Sequence, residues 1–455
     1  MYRVVDKILR HASPATMAWL SKRASPDAAR KMALHHFRQI VRWAGARSKF
    51  YARAFAARGI DPARVRTPAD LGDFYTTPDD IAACAEDFIC APPNIVFESS
   101  GTSGKNKQVY YSQFELGQIG ISEAAGLMMM GLTPEDRVAN AFDFSIWIPG
   151  MVTHYGLMAA GVFTQAFGKV DPVEVYRRLR QYRFTVVLGE PTWLIRLTEL
   201  AEQNSRYPLK MLLGGAEEMP AEAVRWMEDV WKPAKVKMSY GSVELGGAMA
   251  FQPCGRADAY HLDNVNFLTE TIDRDKDGYG EIVFTTLQRQ VMPLIRYRTR
   301  DVARLIDGPC PCGLTLPLMS KLRGRRDELV VASGGNLYPL MFQNILERLP
   351  SLTHDWQVVF RLEGIREIME IHVETPNGDG PALDAQVREQ ITAQYPDLMK
   401  NLMLGIFQMR VIPHPPKTLR TGRKLKRMVD RRHGIPEPAA DDEPDEAEPE
   451  TAHDA

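Results

Sequence analysis

The residues Ser99-Ser100-Gly101-Thr102-Ser103-Gly104, with Lys105 and Lys107 just behind them, gather hydroxyls, glycines and cations in one short loop. Glycines let backbone approach a ligand closely, and hydroxyl and N–H groups can wrap phosphate oxygens. Strand-like runs flank the loop at 94–97 and 108–111. It is not a Walker loop, which needs four residues between its glycines and a helix behind its lysine. A hairpin tip rich in serine and glycine would explain the stretch equally well. Two other turns follow strand-like runs: Gly214-Gly215-Ala216-Glu217 and Tyr240-Gly241-Ser242-Val243-Glu244. Ligands of open α/β sheets collect beyond the carboxyl ends of strands, so these turns are expected to share a site. Taken alone, Glu244 reads as a surface carboxylate. Cys310 and Cys312 form a Cys-x-Cys pair, and Cys254 and His261 lie upstream. Four such ligands in two pairs fit a closed tetrahedral zinc site, and buried packing cysteines are the plain alternative.

The elements that must position these residues follow from the apolar pattern. Residues 1–58 read as helical and basic, either a basic face of the main domain, which is favoured, or a transit or surface-bound segment. From 113 to 238, helical and strand-like runs alternate, which predicts an α/β sheet with parallel strands. Beyond Asn264 the runs become short and β-like. Asp273 to Gly278 imitates a calcium loop, but its twelfth position is Phe284, so a hairpin turn is expected. A small α+β unit closes the fold. Residues 417–432 hold eight basic residues and one acid, Asp430. Such a run is commonly a solvated or nucleic-acid-seeking tail.

Composition narrows the classes. At 455 residues the chain exceeds one ordinary domain. No apolar run reaches the ~18 residues of a membrane span, and no signal peptide is visible. Five cysteines, an odd number, argue against a disulfide framework and for the cytoplasm. The net charge is −1, yet residues 434–455 hold nine acids and no Lys or Arg, so the rest carries +8. That body suits a polyanionic ligand. No basic stripe with interleaved aromatics accompanies it, so nucleic acid ranks low.

In order along the chain, these motifs resemble those of the adenylate-forming superfamily, and most closely the phenylacetate–CoA ligases. Ser99 to Lys107 resembles the phosphate loop of that family. Gly214 to Glu217 resembles its adenine-binding turn, and Tyr240 to Glu244 its Tyr-Gly-x-x-Glu motif. Tyr297-Arg298-Thr299-Arg300-Asp301 resembles its ribose-binding segment, with Arg300 where glycine is usual. Gly324-Arg325-Arg326-Asp327-Glu328 resembles its hinge. Leu419 to Asp430 resembles its ending, with Lys424 at the catalytic lysine, Lys426 as the fallback register, and Arg423 in place of glycine. Some relatives also carry a zinc site with this Cys…His…Cys-x-Cys arrangement.

The resemblance implies a large multi-layer N-terminal adenylation domain and a small mobile α+β C-terminal domain. The divisions expected are 1–324, a hinge at 325–328 turning at Asp327, 329–433, and a disordered acidic tail, 434–455. It implies ATP, Mg²⁺ and CoA as cofactors. Tyr240 would pack on adenine, Glu244 would bind Mg²⁺, Asp301 the ribose, and Arg325 ribose or phosphate, with Gly241 and Ser242 lining the same site. The stretch holding Phe142, Trp147 and Tyr155 falls in the acyl-pocket region, and its aromatic content suits an aryl or arylacetic acid. The reaction implied is adenylation of a carboxylic acid followed by thioester formation. A carrier-protein thiol or an amine is the alternative acceptor, and a non-catalytic ligand-binding relative is the rival class. A homodimer is compatible with all of these.

Overall fold

The computed structural model describes residues 12–99, 106–217, 219–326, 330–332, 335–353, 355–376, 380–419 and 425–432. Three helices lead in: α1 (Pro14–Ser21), α2 (Pro26–Arg47) and α3 (Lys49–Ala57). Each is entered through a serine whose hydroxyl accepts a first-turn N–H. Phe37, Val41, Tyr51 and Phe55 sink into the main core, so the described part of this basic stretch is a helical face of the large domain.

After α4 (Pro78–Cys84), β1 (Ile95–Ser99) and β2 (Lys107–Tyr111) form an antiparallel hairpin with Ser99 opposite Lys107. The hydroxyl loop joins these two strands. Helix α5 (Gln113–Met129) starts in a capping box between Ser112 and Glu115. Strands β3 (Arg137–Asn140), β4 (Phe163–Ala166), β5 (Val186–Gly189), β6 (Met211–Gly214) and β7 (Lys235–Ser242) then alternate with helices α6 (Pro149–Ala160), α7 (Pro172–Tyr182), α8 (Pro191–Gln203) and α9 (Ala221–Val230). They pair in parallel, in the order β4-β3-β5-β6-β7. Every residue of β5 and β6 is buried, which fits their unbroken apolar runs.

The expected parallel sheet is only half of the one found. Beyond β7 it continues through β8 (Gly247–Phe251), β9 (Ala259–Leu262), β14 (Leu318–Ser320) and, at the edge, β13 (Leu305–Ile306), giving nine strands among the described residues. The turn from β7 to β8 is too short for a crossover, so those two strands must run antiparallel. A second sheet joins β10 (Phe267–Ile272), β11 (Gly280–Thr286), β12 (Tyr297–Ala303) and β15 (Gly324–Arg325). The calcium-like stretch is the β10–β11 turn, closed by Asp275 accepting from the N–H groups of Asp277 and Tyr279.

The C-terminal unit has its own core of Phe342, Ile345, Val358, Phe360, Ile371 and Val387. It comprises the hairpin β16 (Val330–Ala332) and β17 (Gly335–Leu337), helices α10 (Pro339–Leu346), α11 (Gly380–Gln394) and α12 (Pro396–Met403), and a sheet. That sheet contains β18 (Trp356–Glu363), β19 (Arg366–Glu374), β20 (Gln408–His414) and β21 (Met428–Asp430), ordered β20-β19-β18-β21. The unit docks on α8, where Arg366 pairs with Glu199 at 2.8 Å and Ile406 buries against the main core. Among the described residues, no helix is long and apolar enough to cross a membrane.

Candidate active site

Beyond the carboxyl ends of β5, β6 and β7 lies a cavity of about 1510 Å³. Its walls come from both units, including Gly215, Tyr240 and Asp301 from the large one and Tyr338, Lys426 and Asp430 from the small one. The two turns expected to share a site both line this cavity.

Glu244 forms one wall. Its carboxylate takes the Lys107 ammonium at 2.5 Å and the Ser99 hydroxyl at 2.6 Å, both from the β1–β2 hairpin. The backbone of this turn is fixed from behind, because Tyr111 donates to the Val243 carbonyl and Arg289 to that of Glu244. Burial acts to raise the Glu244 carboxyl. The Lys107 charge and the hydrogen bonds from Lys107 and Ser99 outweigh it and hold the pKa at about 2. The group is therefore a permanent buried anion rather than a surface carboxylate.

Also lining the cavity, the Tyr240 hydroxyl donates to Asp301 Oδ2 and Arg325 Nη1 to Asp301 Oδ1, each at 2.6 Å. Burial, then the Asp301 charge, push the Tyr240 phenol well up, so it stays neutral and serves as donor. Ser242 and Gly241 line the cavity too. Two non-glycine residues here hold left-handed backbone, Ala216 at φ +74° and Arg300 at φ +67°. Arg300 therefore keeps the conformation that glycine adopts freely, at a cost of about 1–2 kcal/mol, and its N–H is held by Glu281 at 3.0 Å.

Gly215, Ala216 and Glu217 line the cavity, whereas Gly214 does not. Gly214 ends β6, where a Cβ would meet Met238 Sδ at 2.7 Å, so close packing accounts for that glycine. The buried Glu217 carboxylate accepts the Thr192 hydroxyl at 2.9 Å, tying the turn to α8. Beside it lies a pair the sequence reading missed, Lys169 with Glu190 at 2.6 Å. Phe142 and Trp147 line the cavity with Ile148 and Val152. Tyr155 does not; it packs over Gly120 of α5, where a Cβ would approach it to 2.8 Å. Its place on the helix–helix face of α6 removes it from the pocket. Another missed residue, Glu123 of α5, does line the cavity.

Away from the cavity, Cys254, His261, Cys310 and Cys312 converge, with all four ligand atoms within 4.8 Å of one another. Cys254 Sγ lies 3.6 Å from His261 Nε2 and 3.8 Å from Cys310 Sγ, and Cys312 Sγ lies 3.6 Å from His261 Nε2. Tetrahedral zinc with sulfur at ~2.3 Å requires S···S edges of about 3.8 Å, so the donor set fits. Burial, then the charge of Arg256, push the imidazole down to about 4, leaving it neutral as a ligand must be. The other ring nitrogen, Nδ1, is buried without a partner among the described residues.

Ser100, Gly101, Thr102, Ser103, Gly104, Asp327 and Lys424 lie outside the described residues, as does the acidic tail.

With this geometry in view, the chain's relatives are informative. Residues 92–269 match the model of AMP-binding enzymes, and residues 334–432 match that of the AMP-binding enzyme C-terminal domain. The chain belongs to the AMP-binding enzymes. Among curated proteins it is similar to the phenylacetate-coenzyme A ligase of Aromatoleum evansii, 26% identical over 437 residues that cover 92% of this chain and 98% of the relative. The protein of the same name from Escherichia coli (strain K12) is 25% identical, covering 90% and 96%. A solved 2-hydroxyisobutyryl-CoA ligase, in complex with 2-HIB-AMP and CoA in its thioesterification state, shares the fold with a TM-score of 0.76, at 21% identity over 90% of this chain and 92% of that one. Against the same ligase in its postadenylation state the TM-score is 0.63, at 20% identity over 90% and 91%.

Proposed function

We propose that this chain is an AMP-forming acid–CoA ligase that adenylates a small carboxylic acid and passes the acyl group to the CoA thiol. The observation that carries the reading is one cavity lined both by a permanently ionised, lysine-paired carboxylate and by the Tyr240–Asp301–Arg325 set. The match to AMP-binding enzymes and the likeness to phenylacetate–CoA ligases support it. In the first step a carboxylate oxygen of the acid bonds to the α-phosphorus of ATP and pyrophosphate leaves. In the second, the thiol sulfur bonds to the acyl carbon and AMP leaves. A carboxylate does not yield directly to a thiol because oxide is a poor leaving group, whereas AMP is a good one.

Each residue has a role in this scheme. Asp301 accepts the ribose hydroxyls, positioned by Arg325 and Tyr240, and Tyr240 packs on the adenine beside Gly215 and Ala216. Magnesium, when bound, neutralises phosphate oxygens, and the ionised Glu244 carboxylate is the group placed to hold it. The hydroxyl loop and Lys424 offset the charge that builds on the phosphoryl oxygens. A turn about Asp327 then exchanges Lys424 for the thiol. The closer likeness to the thioesterification state is consistent with a C-terminal unit resting in the arrangement for the second step. Phe142, Trp147, Ile148 and Val152 give the acyl end a flat apolar wall suited to an aryl or arylacetic acid. Cys254, His261, Cys310 and Cys312 hold a structural zinc, since all four positions are filled by protein. Thiols kept as ligands suit the reducing cytoplasm.

The test is pyrophosphate release with ATP, magnesium and a panel of acids, followed by thioester formation on adding CoA. Release with an aryl acid and CoA-dependent consumption of the adenylate are expected. Pyrophosphate release without thioester would redirect the reading to a carrier-protein or amine acceptor.

A further inference from the structure

Glu123 sits two-thirds along α5, half-buried beside a face whose buried residues include Leu116, Gly120, Ala124 and Leu127. Its side chain lies against Gly156 of α6, where a Cβ would come within 2.7 Å of the Glu123 Cγ. It lines the large cavity, as Phe142, Trp147 and Val152 do, and it also lines a second chamber of about 180 Å³. Ser239 and Ala248 border both spaces as well, so Glu123 stands where the acyl end meets this inner chamber.

Several charged groups that line these two spaces already have partners, although the Nε of Arg289 has none among the described residues. Lys107 serves Glu244, and Lys169 pairs with Glu190. Arg289, which borders the chamber, donates to the carbonyls of Glu244 and Tyr110 and lies over the Tyr111 ring at 4.2 Å. Asp263 accepts from the N–H groups of Val265 and Asn266 and from the Asn266 amide. No described residue forms a hydrogen bond or ion pair with the Glu123 carboxyl. Burial, and then the Asp263 charge, push it up to about 7. A carboxyl in this position is short of a donor, and the open cavity is the direction from which one can come.

We infer that the acid taken by this enzyme carries a hydrogen-bond donor, a hydroxyl or an amine, at the end remote from its reacting carboxylate, and that Glu123 receives it. The inference rests on the acid–CoA ligase reading. A ligand with a purely apolar tail would cover the Glu123 carboxyl and leave it unpaired, and sites built to bond a substrate hydroxyl discriminate strongly against analogues lacking it. Glu123 is thus a specificity-determining residue where the acyl pocket meets the inner chamber.

The experiment compares phenylacetate with its 3-hydroxy, 4-hydroxy, 4-amino and 4-aminomethyl derivatives, by kcat/KM for pyrophosphate release, in wild type, Glu123→Gln and Glu123→Leu. Wild type should favour at least one donor-bearing acid by about tenfold or more over phenylacetate. Glu123→Leu should lose that preference and gain on phenylacetate, mainly through KM, while Glu123→Gln keeps part of it. The hydroxy and amino arms decide which donor is meant. Equal kcat/KM across the series in wild type, or a preference that survives Glu123→Leu, overturns the inference. If no acid releases pyrophosphate, the ligase reading fails instead. Thermal shift of the free proteins with the same acids then ranks the pocket independently, and an unranked series sinks the assignment of Glu123.

Discussion

Glu244, buried, and Glu123, half-buried, face the same cavity, yet their carboxyls are driven in opposite directions. At Glu244, an ammonium at 2.5 Å and a hydroxyl at 2.6 Å reverse the effect of burial. At Glu123 no such partner exists among the described residues, and a second acid adds to the effect of burial. Enclosure therefore sets only the stakes, and what lies within about 4–6 Å decides the charge. One part of the cavity holds a carboxylate kept ionised by its lysine partner. The other holds a polar group near neutrality beside apolar rings.

The largest effect that would sharpen this contrast concerns Lys424, the cation assigned to the phosphate end. Removing one preorganised charge from such a transition state costs about 3–4 kcal/mol, on the order of a hundred- to a thousand-fold in rate. Lys424→Ala should slow acyl-adenylate formation by that factor while leaving thioester formation from presynthesised adenylate far less affected. Lys426→Ala should be milder in both half-reactions, and a larger loss for Lys426 would move the assignment to that residue.

A smaller effect tests the pair itself. Lys107→Met strands the Glu244 charge and should cost about 3 kcal/mol of stability at pH 7. In wild type the folded-state pKa of Glu244 lies below the unfolded value of about 4.3, so its contribution is present above that pH and is lost as pH falls toward 2. In the variant, burial unopposed raises the folded pKa, so protonation relieves the penalty. The stability gap, measured by denaturation between pH 7 and pH 4, should therefore narrow on acidification. A constant gap would mean that Lys107 does not set the charge of Glu244.

The cysteine cluster should matter least to the chemistry, since it lines neither end of the cavity. Metal analysis should find about one zinc per chain. Cys310→Ser with Cys312→Ser should remove it and lower the melting temperature, with little change in the relative kcat/KM of different acids. Metal-free wild type of full stability would leave the four residues as packing.

The Tyr-Gly-x-x-Glu turn and Asp301 were legible as cavity residues because they sit in short local motifs at strand ends. The cysteine cluster was legible because few other residue types can do the same work. The pairing of Lys107 with Glu244 was not, since it depends on how a hairpin folds back over a distant turn. Glu123 left only a faint signal, the one acid beyond the first turn of an apolar helix, which composition alone reads as harmless. Tyr155 looked like a pocket residue beside Phe142 and Trp147, but the rotation of α6 turns it onto Gly120. Strand β21 was hidden inside a run of bases, because its Met428 and Val429 are too few to show alternation.

Helix α8 touches both halves of the machine. In its first turn Thr192 grips Glu217 of the turn after β6, and two turns on Glu199 holds Arg366 of the C-terminal unit. The segment between them is a rod of roughly 10 Å. Reciprocity then governs the molecule: a ligand that favours one docking of the small unit is itself bound more tightly in that docking, by the same factor. Exposed on the Arg366 side, this latch is also weakened by salt, so ionic strength becomes a dial on how often the two units part.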